Sequence, residues 1–288
     1  MATSHSKKAA AFLSNPDKVT RHDQTFWGIR EKRDIQAVML SEWEDLREHA
    51  SEIKEHTLTH LADYLDEFSR NLESNGVIVH WAKDAQELNE IAYGVLACHK
   101  VKKLVKSKSM LTEECETNDY LIKKGIDVVE TDLGERILQL MNLKPAHIVV
   151  PAAHITRDEV GELFEKDGIS KDIGNHDPTY LTQCARYSLR QEFIEADAGM
   201  TGCNFGVAST GDCVVCTNEG NADMSTSIPK LHIVSMGIDK VIPNYDTLAV
   251  FQRLLARSAT GQPSVSFTSQ FRKARPGAEM HVILVDNG

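Results

Sequence analysis

Lysine and hydroxyl side chains crowd the stretch holding Lys106, Lys108, Ser109 and Thr112, and a second polar stretch, Asn218, Glu219, Gly220 and Asn221, closes a glycine-broken apolar run. Ammonium and hydroxyl groups just ahead of a helix, whose first free N–H groups carry partial positive charge, favour a carboxylate or a phosphate. Lys106 and Lys108 are spaced to share one strand face. The competing reading of the basic run Lys100 to Lys108 is a solvated edge, because lysine is usually exposed. Asn218, Glu219 and Asn221, with Gly220 between them, set donors and acceptors at the end of a strand, which suits a small polar ligand and equally a plain turn. Ser258, Thr260 and Gly261, following a helix that contains Leu254 and Leu255, complete the set, and Arg257 beside them can hold a carboxylate with two hydrogen bonds.

No pair of side chains announces a reaction. Glu219, as a carboxylate nucleophile, and His154, at a strand-to-helix junction beside Thr156 and Arg157, are the catalytic candidates. His154 is one of twelve histidines, and surface or capping roles are commoner. Asp132 reads as a helix N-cap. Cys213 and Cys216 form C-x-x-C inside a β-branched run, and residues three apart in a strand point to opposite faces, so they read as buried packing thiols. No metal-ligating set is expected. Dinucleotide G-x-G-x-x-G, P-loop, H-E-x-x-H and G-x-S-x-G motifs are missing, and so is the cysteine run that holds a cubane cluster.

The elements that must position these residues follow from periodicity. Residues before Val77 read as helical. Ser41-Glu-Trp-Glu44 has the form of a capping box, and Leu46, Ala50, Ile53, Leu61, Leu65, Phe68 and Leu72 follow at helical spacing until Asn75-Gly76, which predicts one long amphipathic helix packed on the body. His22 to Arg33 is polar and weakly patterned, and is read either as a wrap around the body or as a loose segment. From Val77 onward, β-rich runs at 77–81, 103–107, 126–131, 147–151, 231–236, 265–269 and 281–285 alternate with helical ones. Asp84, Thr112 and Thr156 mark helix starts. The expected fold is α/β: a largely parallel, Rossmann-like sheet with helices on both faces, an antiparallel hairpin at 201–217, an N-terminal helical arm over 1–75 and a core over 76–288.

The chain has 288 residues and a formal charge of −10, which argues against a nucleic-acid surface, since duplex affinity comes from clustered Lys and Arg. Ala9 to Leu13 is too short for a signal-peptide core and no run approaches a membrane span, so the expected location is the cytoplasm, with six reduced cysteines.

Five stretches carry a family resemblance: Val105 to Met110, Val129 to Glu135, Met200 to Asn221, Arg257 to Gln262 and His281 to Gly288. With them, the chain from about His22 onward resembles the bacterial lactate-utilisation iron–sulfur proteins of the LUD-domain family, the B components of three-protein lactate oxidation systems. The resemblance implies an architecture similar to sugar-phosphate isomerases, CoA transferases and folate cyclo-ligases. It implies partner subunits of the same system, and iron–sulfur clusters held not in these residues but in a ferredoxin-like C-terminal domain lying beyond them. The leading expectation is the non-cluster domain of such a subunit, handling a small carboxylate or phosphate or a partner subunit. The rivals are a CoA-transferase or cyclo-ligase type of enzyme using Glu219 or the lysine cradle, and a non-catalytic interaction module docking through its long helix. A homo-oligomer is compatible with each.

Overall fold

The computed structural model describes residues 4–287; Met1 to Thr3 and Gly288 lie outside the description. Helices α1 (Ser4–Leu13), α2 (Pro16–Met39), α3 (Trp43–Thr59) and α4 (Leu61–Ser74) precede the first strand. Asn15 caps α2 by accepting the Lys18 N–H, with Pro16 in the first turn, so the weakly patterned stretch His22 to Arg33 is helical.

The long amphipathic helix is two helices. Its break falls at His60, just after Thr57 and Thr59, whose hydroxyls donate back to the carbonyls of Ile53 and Glu55, a pairing that bends helices. The capping box at Ser41 does not form either. Ser41 Oγ donates to Glu42, the N-cap position falls on Glu42, and that carboxylate pairs with Arg253. The apolar face is nonetheless buried: Phe68 and Leu72 are sealed against the sheet, each contributing about 1.5–3 kcal/mol.

Then come β1 (Ile78–Ala82), α5 (Ala85–Cys98), β2 (Lys103–Lys106), α6 (Met110–Glu114), α7 (Thr117–Lys123), β3 (Asp127–Glu130), α8 (Leu133–Met141), α9 (Arg157–Lys166), α10 (Pro178–Glu195) and β4 (Ala198–Thr201). Asp84 caps α5 and Thr156 caps α9 through a full capping box, as their sequences predict. Thr112 does not start a helix; Ser109 caps α6 instead, and Thr112 lies within it. The predicted strand at 147–151 is a turn. His147 Nδ1 accepts the N–H groups of Val149 and Val150, while Pro145 and Pro151 remove ladder donors.

The rest of the chain forms β5 (Phe205–Val207), β6 (Asp212–Thr217), α11 (Asn221–Ser227), β7 (Leu231–Gly237), β8 (Val241–Ile242), α12 (Tyr245–Thr260), β9 (Phe267–Phe271) and β10 (Glu279–Val285). Six strands make one all-parallel sheet in the order β1-β10-β7-β4-β2-β3. Alternation sorts its side chains. Leu104, Val128, Ile233 and Ile283 face α5 and α7, while Val105 and Val129 face α10 and Val234, Met236 and Leu284 face α4.

The second sheet departs from the expected single sheet. The order β8-β5-β6-β9 is mixed: the hairpin β5–β6 pairs antiparallel, β9 joins β6 antiparallel, and β8 joins β5 in parallel. The hairpin therefore begins at 205 rather than 201, because residues 198–201 belong to the main sheet as β4. The run predicted at 265–269 forms as β9 and enters this smaller sheet. As the strand geometry predicts, Cys213 packs toward α4 and the main sheet, and Cys216 toward α12 on the other face.

Candidate functional site

β2 and β3 end side by side with Lys106 opposite Glu130. Far from being a solvated edge, Lys106 is fully buried, and its Nζ lies 2.6 Å from Glu130 Oε1. Asn118 donates to the same oxygen at 2.6 Å, and Glu130 Oε2 is buried without a protein partner. Thr131 Oγ1 donates to the Lys106 carbonyl and lies 3.4 Å from Asn221 Nδ2, which carries the cluster across to α11.

Two glycines set α11 in place. Gly220 takes φ +70° to start it, and Gly199 in β4 has no room for a Cβ, which would lie 1.7 Å from the Ser225 carbonyl oxygen. Asn221 is thereby held at the carboxyl end of the sheet. Opposite it, Asp132 caps α8 by accepting the N–H groups of Gly134 and Glu135, and Glu219 Oε2 accepts the Leu133 N–H at 3.0 Å. Glu219 and Asp132 thus share one helix N-terminus.

Lys108 Nζ lies 3.2 Å from Glu135 Oε1, in the same first turn of α8, and its charge is felt by Glu219. Glu219 is exposed as a residue, but desolvation of its carboxyl end, followed by the charge of Asp132, pushes it up to about 7. Burial and then the neighbouring Glu135 push Glu113 up to about 7 as well. The arrangement is acidic, with both lysines already facing carboxylates. An added anion must displace one of them or be admitted together with a proton.

The remaining sequence candidates divide. Ser109 sits beside the mouth, where the absent side chain of Gly202 lets its Oγ come within 3.0 Å of a Cβ position, and Thr112 Oγ1 donates to the Ser109 carbonyl. Asn218 turns the other way, to Gln262 Oε1, which also accepts from Thr260. Gly261 takes φ +70° at the end of α12, where a Cβ would lie 2.6 Å from the Lys32 carbonyl carbon, so α2 crosses there. Arg257 bonds to the Arg253 carbonyl, with its Nε buried and without a partner. The electrostatic neighbours of His154 are Glu159, Lys18 and His22 rather than the mouth residues, and burial lowers its pKa. Sequence reasoning missed Glu113, Asn118, Glu130 and Glu135. The usable signal was a Lys and a Glu ending adjacent parallel strands.

Among the described residues no three cysteines gather into a metal-ligating group. Cys213 is pushed far up through its contact with Cys203 and its burial, and burial raises Cys216 to about 11. Among the described residues no helix is long and apolar enough to cross a membrane.

An open parallel sheet whose polar side chains gather beyond the carboxyl ends of its strands defines an α/β fold of the kind that seats ligands at that edge. The chain belongs to the LUD domain family, which matches residues 65–285. It is 42% identical over 267 residues to Lactate utilization protein B of Oceanobacillus iheyensis, covering 90% of this chain and 55% of that protein. To the protein of the same name from Bacillus pumilus it is 43% identical over 267 residues, covering 90% and 56%. The chain thus spans about half the length of these relatives. A looser likeness, with a TM-score of 0.42 and 14% identity, links 78% of the chain to 98% of a duf162 family protein from Deinococcus radiodurans.

Proposed function

We propose that this chain is the non-cluster half of an iron–sulfur subunit in a multi-protein system that oxidises L-lactate to pyruvate, working with the other lactate-utilisation subunits. What carries this reading is the identity of 42% to a Lactate utilization protein B along 90% of the chain. In this reading the mouth formed by Lys108, Glu113, Glu135, Glu219 and Asn221 handles a small carboxylate, with Lys108 as the anion contact. Oxidation of a 2-hydroxy acid releases two protons with its two electrons, and the mouth holds carboxyl groups that titrate near neutrality.

Calorimetric titration of the chain with L-lactate and with pyruvate at pH 6 tests the ligand, and co-purification with the partner subunits tests the assembly. A hydrogen bond to a charged group contributes roughly 1.5–3 kcal/mol, so Lys108→Ala should weaken binding about 10- to 150-fold. Absence of heat with either acid, together with no co-purification, would remove the reading.

A further inference from the structure

At the amino edge of the sheet, away from the mouth, three histidines and a glutamate from three elements face one another. Glu279 opens β10, His281 follows two residues later on the same strand face, His99 ends α5, and His80 lies in β1 alongside. His281 Nε2 is 2.7 Å from Glu279 Oε1, and His99 Nε2 is 3.0 Å from the same oxygen. One ligand atom from each of these three residues lies within 4.8 Å of the others. On its far side, His281 Nδ1 is 2.8 Å from His80 Nε2, with the two rings stacked at 8°.

We propose that His99, Glu279 and His281 bind a divalent transition-metal ion of the zinc type, with His80 holding His281 in place from behind. Two imidazole nitrogens and one carboxylate oxygen make a three-ligand zinc set that leaves a fourth position for water. Nitrogen donors favour such an ion over magnesium or calcium. Bonds of about 2.0–2.1 Å in a tetrahedron separate ligand atoms by about 3.3 Å, so the two contacts to Glu279, at 2.7 and 3.0 Å, need open by about 0.6 and 0.3 Å, and the two imidazole nitrogens already lie within 4.8 Å of one another. The side chains of His99 and Glu279 are 34% and 42% exposed and that of His281 is 7% exposed, which gives the ion a route in and a buried anchor.

With His80 Nε2–H donating to His281 Nδ1, the Nε2–H groups of His281 and His99 both donate to Glu279 Oε1, so hydrogen bonds hold the metal-free arrangement together. A metal on His281 Nε2 takes the place of that proton; with the ring's remaining proton on Nδ1 and His80 Nε2 accepting it, His80 orients the ligating ring, which is the usual work of a partner behind a ligating histidine. The bound ion would tie the end of α5 to β10 and, through His80, to the edge strand β1. Only Glu279 and His281 are neighbours in the sequence; β1–β10 pairing and the packing of α5 bring His80 and His99 to them.

Cobalt(II) and zinc(II) are the probes. After treatment with a chelator, the chain titrated with cobalt should develop visible ligand-field bands that saturate at one ion per chain, and zinc should bleach them. His99→Ala and Glu279→Gln, both at partly exposed positions, should abolish the bands while circular dichroism stays unchanged. His80→Ala should weaken binding about 10- to 100-fold. Failure to bind cobalt or zinc near stoichiometry would overturn the proposal. So would bands that survive both ligand variants, or a sulfur-to-cobalt charge-transfer band placing the ion on cysteines.

Discussion

Lys106 and Glu130 end neighbouring parallel strands at the same register position, and their side chains meet at 2.6 Å with almost no solvent exposure. Taking either charge out of water alone is costly, so each is tolerable only because of the other. The pair forms the floor of the mouth, under Thr131 and Asn221, and it takes Lys106 out of the group of side chains open to a ligand.

Lys106→Met should therefore destabilise the fold by about 3–5 kcal/mol, because Glu130 would remain buried with only Asn118 beside it. Replacing both members with apolar residues of similar size should recover most of that loss. Urea unfolding of the single and double variants measures both. A single-variant cost below about 1 kcal/mol would mean the pair behaves as a solvated surface bridge.

Gly199→Ala carries the argument from packing to the site. The added Cβ would collide with the backbone of Ser225, so α11 must move away from β4 and take Asn221 with it. Overpacking of this sort costs about 1–3 kcal/mol, occasionally more. The expected result is a lower unfolding midpoint together with loss of any ligand binding at the mouth. An unchanged midpoint would show that α11 is not wedged against β4.

The alternation of β-rich and helical runs made the parallel sheet legible, and Asp84, Asp132 and Thr156 marked helix starts where they occur. Two kinds of feature were hidden. No strand is predicted at 198–200, and residue 201 reads as the start of the hairpin; only pairing with β2 and β7 assigns 198–201 to the main sheet. Glu130 and Glu135 lie in the Val129 to Glu135 stretch, but nothing local marks them as site residues, because a glutamate near a strand end or in a helix's first turn has an ordinary explanation. Their partnership with Lys106 and Lys108 comes from strand order, which local periodicity does not carry.

Asp212, at the start of β6, is buried and accepts bonds from Arg272, Thr210 and Tyr245. Burial alone would raise its pKa, but these donors outweigh burial and hold it below the ordinary value of 3.8. A carboxyl group depressed by folding stabilises the protein above its unfolded pKa, and that contribution is lost as pH falls through the folded value. Asp212→Asn should cost about 3 kcal/mol near neutrality, and the difference from the parent should shrink below about pH 4. Denaturation curves from pH 3 to pH 7 measure it; a difference independent of pH would assign the loss to packing.

Glu113 and Glu219 run in the opposite sense. Folding raises both from 4.5 to about 7, so the native state holds protons that the unfolded chain has released, and stability from these groups falls as pH rises between those values. Glu113→Gln and Glu219→Gln should each raise the unfolding midpoint at pH 8 and leave it nearly unchanged at pH 4. The same protons govern the mouth: a carboxylate ligand meets two further negative charges above pH 7 and neutral acids below it. Its affinity should fall from pH 6 to pH 8, and its binding heat should vary with the ionisation enthalpy of the buffer as protons are taken up. In Glu219→Gln the fall should be smaller. Binding that is equal at the two pH values, or tighter at pH 8, would separate the anion site from these carboxyl groups and move it elsewhere on the molecule.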